Sequence, residues 1–261
     1  MSVTDIFRLD GKVAIIPGGG GGIGSRLAGA LAEFGAKVTI VGRSNERSEV
    51  AAEKVRIAGS EALVVIGDVT TEEDASRCVT ETLERFGRVD IIVNAIGGGA
   101  GDVLHAAHNY PRVAWDWIFE LNVRSSLLPT QAAVRAMIDA GRGGRVLNIS
   151  SVRGQLGIDA GYSAYVAAKG AIDALTRQQA TEWARYGITV NAISPTFIDT
   201  PQVAILLNDP EFKAGIISRI PLARIGQADD LIGAVLLFCS DTSSFITGQI
   251  LTIDGGLTAT Q

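Results

Sequence analysis

Histidine and cysteine are nearly missing from this chain, with two of each in 261 residues. Protein metal centres are built from His, Cys, Asp and Glu clustered at ligand spacing. His105 and His108 form an H-x-x-H with no acidic or cysteine partner beside them, and Cys78 and Cys239 show no paired spacing. Neither a metal site nor a disulfide framework is expected, and the cysteines read as reduced core thiols on helices. An excess of basic residues is also lacking. The formal net charge of −5 leaves no electropositive footprint for nucleic acid, so an anionic ligand has to be gripped by local groups. The longest apolar run, around Leu231 to Cys239, is far short of the ~20 residues that span a bilayer. The opening MSVTDIFRLDGK has no basic stretch leading into an apolar one. The expectation is a cytoplasmic protein with no membrane partner. No Pro/Ser-rich or charged linker divides the sequence, so residues 1–261 read as one domain.

Glycine, in contrast, is plentiful, and five occur in a row after Pro17. Each costs up to about 1 kcal/mol relative to alanine inside regular structure. A flexible linker is one reading of such a run. Its neighbours argue for another: Lys12 to Ile16 reads as a short buried strand, and Ile23, Leu27, Ala28, Leu31 and Phe34 recur at helical spacing. A glycine turn between a buried strand and a helix N-terminus presents backbone amides and the helix dipole to a phosphate. The strand at Lys37 to Val41 completes a βαβ unit.

The alternation continues along the chain. Strands are predicted near 12–17, 37–41, 62–67, 89–94, 144–149, 188–193 and 249–253, and helices near 22–34, 45–58, 72–86, 114–140, 163–186 and 228–239. This pattern predicts an α/β fold: a single-domain, Rossmann-like, doubly wound parallel sheet of about seven strands with helices on both faces. Ligands of such sheets bind beyond the carboxyl ends of the strands. Functional residues are therefore expected just after strands.

Tyr165-Val166-Ala167-Ala168-Lys169 is a Tyr-x-x-x-Lys at the start of a predicted helix, and Asn148-Ile149-Ser150-Ser151 closes the strand before it. With Gly18-x-x-x-Gly22-Ile23-Gly24, Asn94 after the fourth strand, Asn122 in the long helix and Asp254-Gly255-Gly256 near the end, the whole chain resembles the short-chain dehydrogenase/reductase family. Its chemistry explains the residue types. Hydride transfer between a nicotinamide and a carbonyl requires a proton to move at the same oxygen. A free tyrosine, with a pKa near 10, is a poor base at neutral pH, and a lysine one turn away favours the phenolate. The resemblance implies that Tyr165 is the acid or base, that Lys169 also holds the nicotinamide ribose, that Ser151 hydrogen-bonds the substrate oxygen, and that Asn122 kinks its helix and holds a relay water. Tyr162 lacks the lysine and reads as a pocket or packing residue.

The resemblance implies a dinucleotide site formed by Gly18, Gly21, Gly22, Ile23 and Gly24, with Asp68, Val69 and Asn94, the catalytic Tyr165 and Lys169, and Pro195, Ile198 and Thr200 after the sixth strand. Gly19, Gly20 and Gly21 read as permissive positions. The second run, Gly97-Gly98-Gly99-Ala100-Gly101, reads equally as a mobile loop facing the nicotinamide or an undemanding surface turn. Cofactor choice in this fold is made at the end of the second strand. There Gly42 supplies no carboxylate, while Arg43 and Ser44 offer a guanidinium and a hydroxyl to a phosphate. NADP(H) is expected to be preferred and NAD(H) accepted, because Gly21 stands where many NADP-using members carry a second basic residue.

The chain departs from the family pattern in four places. Pro17 replaces a threonine, Asn94-Ala95-Ile96-Gly97 replaces Asn-Asn-Ala-Gly, and Pro195-Thr196 stands where Pro-Gly is common. Ser151 precedes Tyr165 by fourteen residues rather than the family's usual thirteen or so, which leaves Ser150 and Ser151 both open as the catalytic serine. Substrate loops are expected near 97–113 and 196–226, with His105, His108, Arg112, Gln155, Gln202 and Arg219 among the candidates. Arg153 reads either as a partner for a substrate carboxylate or, more commonly, as a solvated charge. Asn208 to Phe212, Arg219 to Leu222 and Gly226 look like the lid of members acting on sugar acids and polyols. The implied function is hydride transfer between a nicotinamide and a secondary alcohol or ketone, with a sugar acid or polyol as the small-molecule partner. Reduction of 3-oxoacyl thioesters and non-catalytic dinucleotide sensing are the alternatives, and a homotetramer is expected.

Overall fold

In the computed structural model, which describes residues 3–99, 101 and 103–260, seven parallel strands form one sheet. They are β1 (Val13–Pro17), β2 (Lys37–Gly42), β3 (Ala62–Ile66), β4 (Ile91–Asn94), β5 (Gly144–Ile149), β6 (Ile188–Pro195) and β7 (Ile250–Ile253), in the order β3-β2-β1-β4-β5-β6-β7. The first three helices are α1 (Gly22–Glu33), α2 (Asn45–Ile57) and α3 (Glu72–Phe86), followed by α4 (Arg112–Phe119) and α5 (Ser125–Ala140). After them come α6 (Ser163–Trp183), the short α7 (Ala204–Leu207) and α8 (Pro210–Ile217), and α9 (Ile232–Cys239).

The period-2 pleat sends alternate strand residues to opposite faces. Ala14, Ile16, Val38, Ile40, Ile91 and Val93 join α1, α2 and α9 in one core, while Ile15, Val41 and Ile92 join α3, α5 and the end of α6 in the other. Both faces are buried, which is why the strands read as nearly continuous apolar runs. Strand order reverses between β1 and β4, so their carboxyl ends open a crevice there. Cys78 and Cys239 lie inside these cores, and burial pushes both thiols up to about 12. Among the described residues, no helix is long and apolar enough to cross a membrane.

Two helices differ from the sequence reading. The helix expected over 114–140 is interrupted by a π-turn at Glu120–Arg124. The Asn122 amide donates to the Ile118 carbonyl at 2.9 Å and to Gly98 O at 2.8 Å, and its Oδ1 accepts from Gly98 N at 3.1 Å. A side chain thus takes up backbone groups and widens the turn. The helix expected over 228–239 starts as a 3-10 turn at Ala228–Leu231. There the Asp230 carboxylate accepts from Gln227 N and caps the entry. After β6 the chain folds α7 and α8 over the strand end, with a small core of their own that includes Val152, Ile216, Ile220, Phe197 and Phe212.

Candidate active site

The turn after β1 has little room for side chains. Gly18 has φ +81° and its amide donates to Val41 O at 2.8 Å; a Cβ there would lie 2.7 Å from the Ala95 carbonyl carbon. A Cβ at Gly24 would collide with the Gly18 carbonyl, and one at Gly22 would lie 2.8 Å from Thr200 Cβ. Of the middle glycines Gly19 is not permissive, contrary to the sequence reading: a Cβ there would sit 2.9 Å from both Ile16 O and Ile40 Cγ2, whereas one at Gly20 would lie 3.1 Å from Ser48 N and one at Gly21 3.2 Å from Gly18 O, tight contacts that small shifts relieve. The first backbone bond of α1 runs from Ser25 N to Gly21 O. The amides of Gly22, Ile23 and Gly24 therefore have no intrahelical acceptor and stand at the positive end of the helix dipole. Such a cradle, which any side chain would fill, fits the pyrophosphate of a dinucleotide.

One cavity at the carboxyl ends of the strands brings together Gly21 to Gly24, Ser151, Tyr165, Lys169, Pro195, Ile198 and Thr200. Thr196, Phe197, Val203 and Gln202 face it from beyond β6. The two serines separate by partner. Ser150 Oγ donates to Asp173 Oδ1 at 2.6 Å and is turned into α6, whereas Ser151 lines the cavity with Tyr165 and its Oγ accepts from Arg153 N at 3.2 Å. Burial pushes the Tyr165 phenol above its ordinary value; the Ser151 hydroxyl opposes this, Tyr162 adds to it, and the Arg153 charge holds it down. Lys169 does not figure in this balance as the sequence reading expected. Its Nζ lies 5.7 Å from the Tyr165 ring centroid and donates to Ile149 O at 2.9 Å. Burial lowers the Lys169 ammonium to about 8 against the opposing charge of Asp173.

Asp173 was not singled out from the sequence. It stands one turn beyond Lys169 on α6 and is buried. A carboxylate at i+4 on the lysine's own face was the available signal.

Asn94 lies beneath the cavity. Its amide donates to Thr130 Oγ1 at 2.7 Å and Asn148 Oδ1 at 2.8 Å, and the Asn148 amide donates to Thr176 Oγ1 at 2.9 Å. This polar strut ties β4 and β5 to α5 and α6. Asn122 is likewise buried behind the loop after β4. The start of the second glycine run is not an undemanding turn: a Cβ at Gly97 would lie 2.9 Å from Asn122 Oδ1 and 3.0 Å from Lys169 Nζ, and one at Gly99 2.7 Å from Tyr165 Cδ2. Ala100, and Asp102 in the expected substrate loop, lie outside the described residues.

Arg43, Ser44, Asp68 and Val69 gather at the far ends of β2 and β3, away from the cavity walls. Arg43 Nη1 is 3.9 Å from Asp68 Oδ2, Ser44 caps α2 by accepting from Arg47 N, and Asp68 accepts from Thr70 N at 3.1 Å. Val69 is buried. His105 N donates to Gly161 O, and the imidazole packs edge-on against Tyr110 at 5.4 Å. Arg153 is not solvated: it is 6 % exposed and lines the cavity.

Residues 19–258 match the family described as enoyl-(acyl carrier protein) reductase. The chain is 35 % identical over 258 residues to gluconate 5-dehydrogenase of Gluconobacter oxydans, covering 99 % of each. It belongs to the short-chain dehydrogenase/reductase family. Sorbitol dehydrogenase of Cereibacter sphaeroides is 35 % identical, with 96 % of this chain and 98 % of that one covered. The crystal structure of a gluconate 5-dehydrogenase from Burkholderia cenocepacia, in complex with NADP and tartrate, superposes with a TM-score of 0.92 at 35 % identity over 99 % of both chains. As a member of this family, the short-chain dehydrogenase/reductase described here is an NAD(P)(H)-dependent oxidoreductase acting on the CH–OH group of its donor.

Proposed function

We propose that this enzyme interconverts a secondary alcohol and a ketone on a small polyhydroxylated substrate, a sugar acid or polyol, with Tyr165 moving the proton and NADP(H) preferred. The observation that carries the reading is the placing of Ser151, Tyr165 and Lys169 together on the wall of a cavity whose other end is the glycine cradle of α1. A bound nicotinamide supplies or accepts the hydride.

Ser151 orients the substrate oxygen and Tyr165 protonates or deprotonates it. Lys169, fixed through one N–H to Ile149 O, offers its remaining protons to the cavity and to a ribose. The amides of Gly22 to Gly24 would hold the pyrophosphate, Asp68 and Val69 the adenine end, Arg43 and Ser44 a ribose phosphate, and Pro195, Ile198 and Thr200 the nicotinamide end. Asn122 positions the Gly97–Gly98 backbone against Lys169, and Asn94 braces the strand ends below. The loops at 97–113 and 196–226 would select the substrate within one domain, and assembly as a cytoplasmic homotetramer belongs to the same proposal.

Tyr165→Phe keeps the ring and removes the proton, so turnover should fall at least about a hundredfold while dinucleotide affinity is retained. Lys169→Ala should lower both. Near-normal turnover by Tyr165→Phe, measured by NADPH absorbance with a panel of sugar acids and polyols, would remove Tyr165 from the mechanism.

A further inference from the structure

Among the described residues Arg153 is the one buried arginine, 6 % exposed on the 3-10 turn Val152–Gly154 that directly follows Ser151. Its backbone amide donates to Ser151 Oγ, the residue lines the cavity shared by Ser151 and Tyr165, and its charge acts on Tyr165. Nη1 donates to the Gly157 carbonyl at 2.9 Å. No aspartate or glutamate is paired with it among the described residues. The formal charge that acts on it has the same sign: burial first, and then the Arg219 guanidinium, push Arg153 below its ordinary value. A guanidinium cannot shed its proton in a protein. The cavity wall therefore carries a permanent, desolvated positive charge without a counter-ion, an arrangement that is unfavourable until an anion completes it.

The geometry points to Arg153 as the docking residue for a substrate carboxylate, which makes the substrate a hydroxy or oxo acid anion and not a neutral polyol. The inference rests on the reading of Ser151 and Tyr165 as the reacting end of the cavity. A planar guanidinium matches a carboxylate in bidentate fashion. The dinucleotide phosphates have their own cradle at α1, where Gly22 faces Thr200, whereas Arg153 acts electrostatically on Tyr162 and Tyr165. The acid group is thereby held beside the hydroxyl that moves the proton, and its charge neutralises the repulsion between Arg153 and Arg219. A neutral acyl thioester would leave that repulsion in place.

The test compares tartrate with threitol, the same four-carbon diol with both carboxylates replaced by CH2OH, binding to the NADP-loaded protein by calorimetry. The wild type should bind tartrate at least tenfold more tightly. Arg153→Met should lose that preference while binding threitol within twofold and NADP as before, and Arg153→Lys should keep part of it. Equal binding of the two ligands by the wild type, which needs no variant to fold, overturns the inference. So does unchanged tartrate affinity in Arg153→Met, or a matching loss of NADP affinity, which would assign the guanidinium to the dinucleotide. Tyr165→Phe should retain the tartrate preference in full, so failure of the proton-transfer reading and failure of the carboxylate site give different results.

Discussion

At the end of β2, Gly42 removes any carboxylate from the ribose position, and Arg43 follows with its side chain 75 % exposed. Its one ion pair, to Asp68 at 3.9 Å, is long and solvated and worth well under about 1 kcal/mol, so the guanidinium can turn to a phosphate at little cost. Ser44 accepts from Arg47 N, which leaves its hydroxyl proton to donate. The enzyme should show higher kcat/KM with NADP(H). In Gly42→Asp/Arg43→Ile the preference should move toward NAD(H). The new Cβ would lie 3.2 Å from Ser48 Oγ, a buried hydroxyl without a partner among the described residues and a ready donor to the added carboxylate. A wild-type ratio favouring NAD(H) by tenfold, about 1.4 kcal/mol, would eliminate Arg43 as the phosphate ligand. Single residues were legible where a spacing encodes a local geometry, as with Tyr165 and Lys169 one turn apart. They were not legible where the deciding contact comes from a distant segment. Arg153 looks like any solvated arginine until Gly157 and the cavity enclose it, and Gly19 looks spare until Ile16 and Ile40 close on it.

The elements themselves were readable because burial on both faces writes long apolar strands and helices such as α1, α3 and α4 carry a 3.6-residue apolar stripe. The break at Asn122 was implied by the family resemblance but is invisible to periodicity, since its cause is a tertiary hydrogen bond from Asn122 to Gly98. On α6 the same tertiary context buries an ammonium that a helix surface would leave in water. In the unfolded chain lysine titrates near 10.4, and in the fold Lys169 is lowered to about 8. Between those values the unfolded state binds more protons, so stability rises with pH through that window. Below about 8 both states are charged and the desolvation penalty stands in full, and above about 10.4 both are neutral and it vanishes. Lys169→Met should therefore raise the unfolding free energy measured in urea at pH 7 by on the order of 1–2 kcal/mol, with the gain shrinking toward pH 10. A gain independent of pH would mean that the methionine simply packs better.

For the whole molecule, two cores cover the sheet, yet large apolar side chains remain exposed, among them Val113 and Trp117 on α4, Leu251 on β7 and Phe245 just before that strand. The rest of the α4 apolar surface is used internally: Ile118 is buried, and Trp115 stacks on Phe119 at 5.2 Å. Two of these sites are candidates for subunit contact: the exposed pair on α4, and the edge strand β7 with an uncovered aromatic close in sequence, which invites pairing. One isologous patch closes a dimer about a single two-fold axis, and a second, independent patch joins two dimers about another. Two patches therefore predict a homotetramer, with one interface formed by α4 and the long helices beside it and the other by the β7 edge. Light scattering at micromolar concentration should give four chain masses. Phe245→Asp, which places a charge in the second patch and touches neither core, should halve that mass while leaving the α4 interface and turnover intact. A monomeric wild type would refute the assembly, and a tetramer undisturbed by Phe245→Asp would place the second interface elsewhere.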